Sequence, residues 1–385
     1  MLKISVLTST RADYGLLHWL IKAIDEAEDL ELRLIVTGTH LSSEYGFTVS
    51  EILNDGFTPA EMIDTLIGSD TPSAICKSAA MMTMQLSDFF TREAPDYFVV
   101  LGDRFEVLAA CQAAVVAKIP IAHIHGGEVT EGAIDDNIRH AVSKLATLHF
   151  TSAEPYRRRV IQMGENPAKV FMCGAMGLEA IHRYEMVSRA ELSEQIDVDL
   201  TTPYLLVVYH PETYSASQDV GELLRALSDF PDLKKIILYP NADAMSRSII
   251  MEIEAYGQSV DDNVVVIKSM SHLNFLSLMA GAELLVGNSS SGLIEAPSFC
   301  IPTVNIGRRQ AGRIRAASVI DVDASYAAIK AGLDKGLSRE FRDGIAGIQS
   351  PYGGAAASSI VLQELRAAGK NQPVNEGFFD LEFEL

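Results

Sequence analysis

The sequence is short of several things. It has only four cysteines in 385 residues, Cys76, Cys111, Cys173 and Cys300, with no CxxC pair and no His/Cys spacing that suits a metal. That argues against a disulfide scaffold and a zinc module, and four reduced thiols in a cytoplasmic protein are the expectation. No apolar run reaches the roughly 18 residues that a membrane-spanning helix needs, so no membrane partner is expected. The apolar start "MLKISVLTSTRADYG" is interrupted by Arg11 and Asp13 and lacks a small-residue cleavage site, so no signal peptide is expected. Positive charge is scarce: 31 Lys and Arg stand against 51 Asp and Glu, for a net charge of −20. Such a field repels nucleic acid and acidic membrane surfaces, and argues against both as partners. An anionic ligand has to be captured locally, by helix N-termini, backbone N–H groups and a few arginines.

What the chain does have is hydrophobic content of 48% and a regular alternation of short apolar runs with amphipathic stretches. "KISVLTS", "LELRLIVTG", "DYFVVLGD", "IPIAHIHG" and "LHFTSA" read as buried parallel strands, each followed by a helical segment. A second series follows: "YLLVVYHP", "KKIILYPN", "NVVVIKS", "ELLVGNSS" and "IPTVNIG". Between them, "EMVSRAELSEQIDVDLTTP" is polar and ends at Pro203, the best candidate linker. The expected architecture is α/β, with two Rossmann-like doubly wound domains facing each other across a cleft. Residues 1–190 form the first and 200–365 the second, with a polar, acidic and loose tail over 366–385.

In such sheets ligands bind at the carboxyl ends of strands, so the residues there carry the argument. "LVGNSSSGLIEAP" passes from a strand through Gly287 and Asn288 into three serines and a helix. Hydroxyls, backbone N–H groups and the helix dipole together suit a phosphate; the plainer alternative is a serine N-cap. Glu295, one to two turns on, could bind sugar hydroxyls or be a solvated glutamate. Arg11, Arg104, Arg309 and Arg313 collect at strand ends, and as a set favour a diphosphate. His210, at a strand end before Pro211, would be held cationic beside a phosphate and assist a leaving group. Asp103 is either an N-cap or a partly desolvated carboxylate able to move protons.

"HIHGGEVTEGAIDDNIRHAVSK", His123 to Lys144, is the densest cluster of titratable groups. Its second half reads as an amphipathic helix with Ile134, Ile138, Ala141, Leu145 and Leu148 on one face. Asp135 and Asp136 favour its start, and the i,i+4 pairs Asp135/Arg139 and Asp136/His140 explain those side chains structurally. The "GGE" before it lets backbone approach a ligand and leaves Glu128 projecting from a loop.

The stretches "TSTRADYGLL", "LGDRFEVLAA", "HIHGGEVTEGAIDDNIRHAVSKLA", "YHPE", "GNSSSGLIEAP" and "NIGRRQAGR", in this order over residues 1–365, resemble the UDP-N-acetylglucosamine 2-epimerases. They are most similar to the hydrolysing bacterial branch of the sialic- and legionaminic-acid pathways. The resemblance implies a B-type glycosyltransferase-like fold, a UDP-sugar substrate, no metal or redox cofactor, and a homo-oligomer, dimer or tetramer. It also implies elimination of UDP to a 2-acetamidoglucal, then hydration with inversion at C2 to release N-acetylmannosamine. By the same resemblance Asp103 is an acid/base, Arg104 a diphosphate or sugar contact, and Arg11 a nucleotide-binding arginine. His210 assists UDP departure, Ser289 and Ser290 cradle phosphate, Glu295 contacts ribose or sugar, and Arg309 and Asn241 lie on the UDP side.

Where non-hydrolysing and animal relatives carry glutamate in "H-[IV]-E", this chain has His125, as do bacterial hydrolysing members. That leaves Glu128 and Asp135 as candidates for the second proton transfer. Competing readings are a 2-epimerase of a UDP-2,4-diacetamido-trideoxyhexose, a B-type UDP-sugar glycosyltransferase, and a non-catalytic nucleotide-sugar sensor. The last would not need both Asp103 and Glu128.

Overall fold

The computed structural model describes all residues except 132, 213–219, 241–245, 260–262, 371, 375–376 and 383–385. The chain forms two compact units. The first is built on a seven-stranded sheet of β1 (Leu2–Thr8), β2 (Leu30–Thr37), β3 (Glu61–Ile63), β4 (Tyr97–Leu101), β5 (Ile121–Ile124), β6 (Leu148–Thr151) and β7 (Val170–Met172). Their order is β3-β2-β1-β4-β5-β6-β7, with every pairing parallel. Strands such as "YFVVL" are buried on both faces, which is why they are apolar without alternation. Ile4, Val6, Val99 and Ile124 feed one core layer; Leu7, Ile35, Phe98, Val100 and Ile121 feed the other. The order reverses between β1 and β4, the position where such sheets open a ligand crevice.

The second unit repeats the plan with β8 (Tyr204–Val208), β9 (Lys234–Leu238), β10 (Val264–Ile267), β11 (Leu284–Gly287), β12 (Thr303–Ile306) and β13 (Val319–Val322). The order is β10-β9-β8-β11-β12-β13, again all parallel, with the reversal between β8 and β11. All ten strands expected from the sequence are present. The three it does not announce, β3, β7 and β13, are edge strands of three or four residues, too short to show a period.

The domain boundaries differ from those expected. The first unit comprises 1–128, 135–180 and 352–385; the second comprises 129–134 and 181–351. The expected linker contains a helix, Arg189–Ile196, closed at its start by a capping box between Ser188 and Glu191. The helix Ala357–Ala368 belongs to the first unit, because Val361, Leu362 and Leu365 pack in one core layer with Leu17, Leu20 and Ile24. Arg366 fastens it with a bidentate pair to Asp29, both contacts 2.8 Å. The tail is also tied down where it is described: the Phe379 N–H donates to the Gly164 carbonyl at 2.9 Å. Among the described residues no helix is long and apolar enough to cross a membrane.

Candidate active site

At the carboxyl end of β1 the chain turns at Thr10, whose hydroxyl accepts the Asp13 N–H and starts the helix Arg11–Asp25. Arg11 is half-buried in the first turn, and desolvation pulls its guanidinium below its ordinary value while Glu51 works in the opposite sense. Beside it His40 is locked between Thr8 Oγ1 at 2.9 Å and Thr48 Oγ1 at 2.8 Å. Burial, with Arg11 nearby, brings His40 down to about 3, so it is a neutral structural histidine.

The "GDR" turn after β4 departs from expectation twice. Asp103 is not an N-cap; Arg104 occupies that position of the helix Phe105–Val116. Asp103 instead forms an ion pair with Arg139, whose side chain is buried; Arg139 also lies 3.6 Å from Asp136. A buried guanidinium requires counter-charges, and Asp103 supplies one while keeping about a fifth of its side chain exposed (21%). Arg139 therefore links the β4 turn to the helix Asp135–Leu145 rather than merely bracing that helix. This also sets which face is buried: Arg139, Val142 and Ser143 point inward, while Ile134 and Ala141 are exposed and Leu148 lies in β6. His140 does pair with Asp136, at 3.6 Å.

Arg104, expected to face an anion, is buried against Glu106, with contacts of 3.2 and 3.3 Å. Burial raises the Glu106 carboxyl and the Arg104 guanidinium opposes that. Glu106, not among the candidates read from the sequence, is thus the partner that holds Arg104; a carboxylate two positions after an arginine in "DRFE" was the available signal.

The β5 turn is tightly constrained. His125 has φ +66°, a left-handed conformation that costs a non-glycine residue roughly 1–2 kcal/mol. Its N–H donates to the Phe150 carbonyl at 2.7 Å, and its Nε2 accepts the Met176 N–H at 3.1 Å. Accepting at Nε2 puts the ring proton on Nδ1, which lies 3.6 Å from Glu128 Oε1. The Ser152 hydroxyl donates to the same oxygen at 2.6 Å. Glu128 does not project from a loop; it is buried, held by Ser152 and faced by His125. Gly127 permits this turn, since at φ +76° a Cβ would stand 2.4 Å from the Tyr156 carbonyl. Ser152, at the end of β6, was absent from the sequence reading. Asp135 begins the following helix, partly buried.

In the second unit Asn288, fully buried after β11, is the organiser. Its Oδ1 accepts the His210 N–H at 2.7 Å and its Nδ2 donates to the His210 carbonyl at 2.8 Å, joining the ends of β8 and β11. Its own carbonyl accepts from Gln310 Nε2 at 2.8 Å and Arg309 Nη1 at 3.2 Å. Arg309 Nε has no partner among the described residues. Ser289 and Ser290 precede a helix of only four residues, Ser291–Ile294; Ser291 Oγ bonds Ser289 Oγ at 2.9 Å. Glu295 is not on the flank of a long helix but at the end of this single turn, buried where a 3₁₀ segment takes over. Arg313 also departs from expectation: its guanidinium donates to the Val129 carbonyl at 2.8 Å and to Thr130 Oγ1 at 3.4 Å. Asn241 lies outside the described residues.

A family model described as UDP-N-acetylglucosamine 2-epimerase matches residues 22–366. The chain belongs to that family. It is 37% identical over 340 residues to the UDP-N,N'-diacetylbacillosamine 2-epimerase (hydrolyzing) of Legionella pneumophila, covering 88% of this chain and 89% of that one. It is 36% identical over 357 residues to the polysialic acid biosynthesis protein P7 of Escherichia coli, covering 91% and 90%. A crystal structure of UDP-GlcNAc 2-epimerase from Neisseria meningitidis bound to UDP-GlcNAc matches with a TM-score of 0.81, over 95% of this chain and 100% of that one. At 18% identity that likeness shows the fold: two parallel-sheet domains of the B-type glycosyltransferase kind.

Proposed function

We propose that this chain is a hydrolysing 2-epimerase of a UDP-activated 2-acetamido sugar. The observation that carries the reading is the Ser152–Glu128–His125 arrangement on the ligand side of the sheet: a buried carboxylate that accepts a hydrogen bond from Ser152 and is faced by the oriented His125 ring at 3.6 Å. In the reaction a carboxylate removes the C2 proton, the C1–O bond breaks, and its electron pair leaves with UDP. Water then adds to the resulting 2-acetamidoglucal, the hydroxyl at C1 and a proton at C2 from the opposite face. Glu128 is assigned to proton transfer at the sugar, with Asp103 and Asp135 as its partners. His210, Ser289, Ser290 and Arg309 are assigned to the diphosphate, where oriented N–H groups and a guanidinium stabilise the departing charge. The hydrolysing outcome is supported by the relative from Legionella, whose name carries that word.

UDP-N-acetylglucosamine is the first substrate reading, giving N-acetylmannosamine for sialic acid synthesis in the cytoplasm, by a homo-oligomer. A 2,4-diacetamido sugar is the second, favoured by relatives at 37% and 35% identity that are named for diacetylbacillosamine nucleotides. Separate incubation with each nucleotide sugar, followed by chromatography, tests both. The expected result is free UDP and a free 2-epimerised sugar from one of them. A 2-epimer still attached to UDP would contradict the hydrolysing assignment.

A further inference from the structure

Residues 129–134 belong with the second unit, whereas Glu128 before them and Asp135 after them belong to the first. Both flanking residues are acids assigned to the chemistry. The loop after β12 grips the first two residues of this segment. Arg313 donates through Nε to the Val129 carbonyl at 2.8 Å and through Nη2 to Thr130 Oγ1 at 3.4 Å, and Thr130 is buried. Gly312 makes the approach possible: at φ +79°, a Cβ there would come within 2.9 Å of Val129 Cγ1 and 3.1 Å of Glu131 Oε1. A third contact, Arg308 to Glu131 at 3.5 Å, is exposed on both sides and contributes little. The same loop carries Arg309, which bonds the carbonyl of Asn288 in the serine turn.

We propose that Arg313 is a positioning residue: by clamping Val129 and Thr130 it fixes where the chain leaves Glu128 and re-enters at Asp135. The proposal rests on the assignment of Glu128 to proton transfer. The carbonyl of Val129 is one residue from Glu128, so a lost clamp moves the carboxylate directly. Displacements of about 1 Å at a reacting group lower turnover by about 10²-fold. Two donors in a planar fork do what a lysine ammonium cannot reproduce at both acceptors.

The test uses the full-length protein and four variants: Arg313→Ala, Arg313→Lys, Gly312→Val and Glu128→Gln. Turnover, KM and the affinity for UDP by calorimetry are measured for each. Arg313→Ala should lose about 10²-fold in kcat while UDP affinity stays within about twofold, and added methylguanidinium should restore part of the turnover. Arg313→Lys should recover little. Gly312→Val, which keeps the arginine but forces the loop from Val129, should show the same split, and serves if Arg313→Ala does not fold. A UDP affinity lowered by tenfold or more with kcat retained would make Arg313 an anion contact and overturn the proposal. So would wild-type turnover in Arg313→Ala or Gly312→Val. Full turnover in Glu128→Gln would instead remove the functional assignment on which the proposal stands, so the two failures are told apart.

Discussion

At the scale of single residues, Glu128 bears the heaviest assignment. Ser152 Oγ–H and His125 Nδ1–H approach the same carboxylate oxygen, and the Met176 N–H fixes the tautomer of His125. Glu128→Gln keeps size and hydrogen-bonding reach but cannot exchange a proton. Turnover should fall by about 10²–10⁴-fold while UDP binding is unchanged. Supplying the glucal intermediate divides the half-reactions: normal hydration would place Glu128 in the elimination, and failed hydration would place it in the second step. Wild-type turnover on both substrates would move the role to Asp135. Ser152→Ala, which removes one hydrogen bond to a charged group, should reduce turnover by about tenfold or more, and an unchanged rate would show that His125 suffices. Candidate residues in this turn could be named from the sequence because glycines and acids after an apolar run are conspicuous. Their partners were not: Ser152 and Met176 reach His125 and Glu128 only through the adjacency of β5, β6 and the chain after β7. Arg139 adds a case of the same kind: helical spacing announces partners on its own helix, whereas its pairing with Asp103 runs across space and leaves no pattern in the sequence.

At the scale of elements, strands were more legible than the elements around them. A buried parallel strand shows as an uninterrupted apolar run, whereas the edge strands β3, β7 and β13 are too short for any pattern. The return of the helix Ala357–Ala368 to the first unit was hidden, because its apolar stripe fits either core equally well on composition. Beside that packing stands Glu179, fully buried, which accepts the Ser358 N–H at 2.7 Å and the Ser358 hydroxyl at 2.6 Å. Glu179→Ala strands both donors in the interior and should destabilise the protein by about 2–3 kcal/mol, read as a lower urea midpoint. An unchanged midpoint would show that the apolar stripe alone seats this helix.

At the scale of the whole molecule, exposed ion pairs contribute little each, so the pH dependence of stability rests on the buried titratable groups. His40 and His123 are buried and neutral, each brought by burial down to about 3. In the unfolded chain they titrate near about 6.5, so between those values the unfolded state binds protons that the folded state refuses. Their contribution is complete above about pH 6.5 and declines as pH falls, by up to about 1.4 kcal/mol per pH unit for each histidine. Glu106, raised by burial, acts in the opposite sense with at most one proton, so the histidine pair prevails. Urea midpoints should therefore drop steadily from about pH 7 to about pH 5, and a flat profile would contradict the burial of these rings as neutral bases. Two doubly wound units, each with its own reversal of strand order, place the acids after β4 and β5 and the serines after β11. The function proposed above is elimination of UDP followed by hydration of the glucal. NMR of the purified protein with its UDP-2-acetamido sugar in D2O tests that directly. The account predicts free UDP together with a free 2-epimerised sugar carrying deuterium at C2; free UDP with a sugar that keeps its original C2 proton and configuration would contradict it.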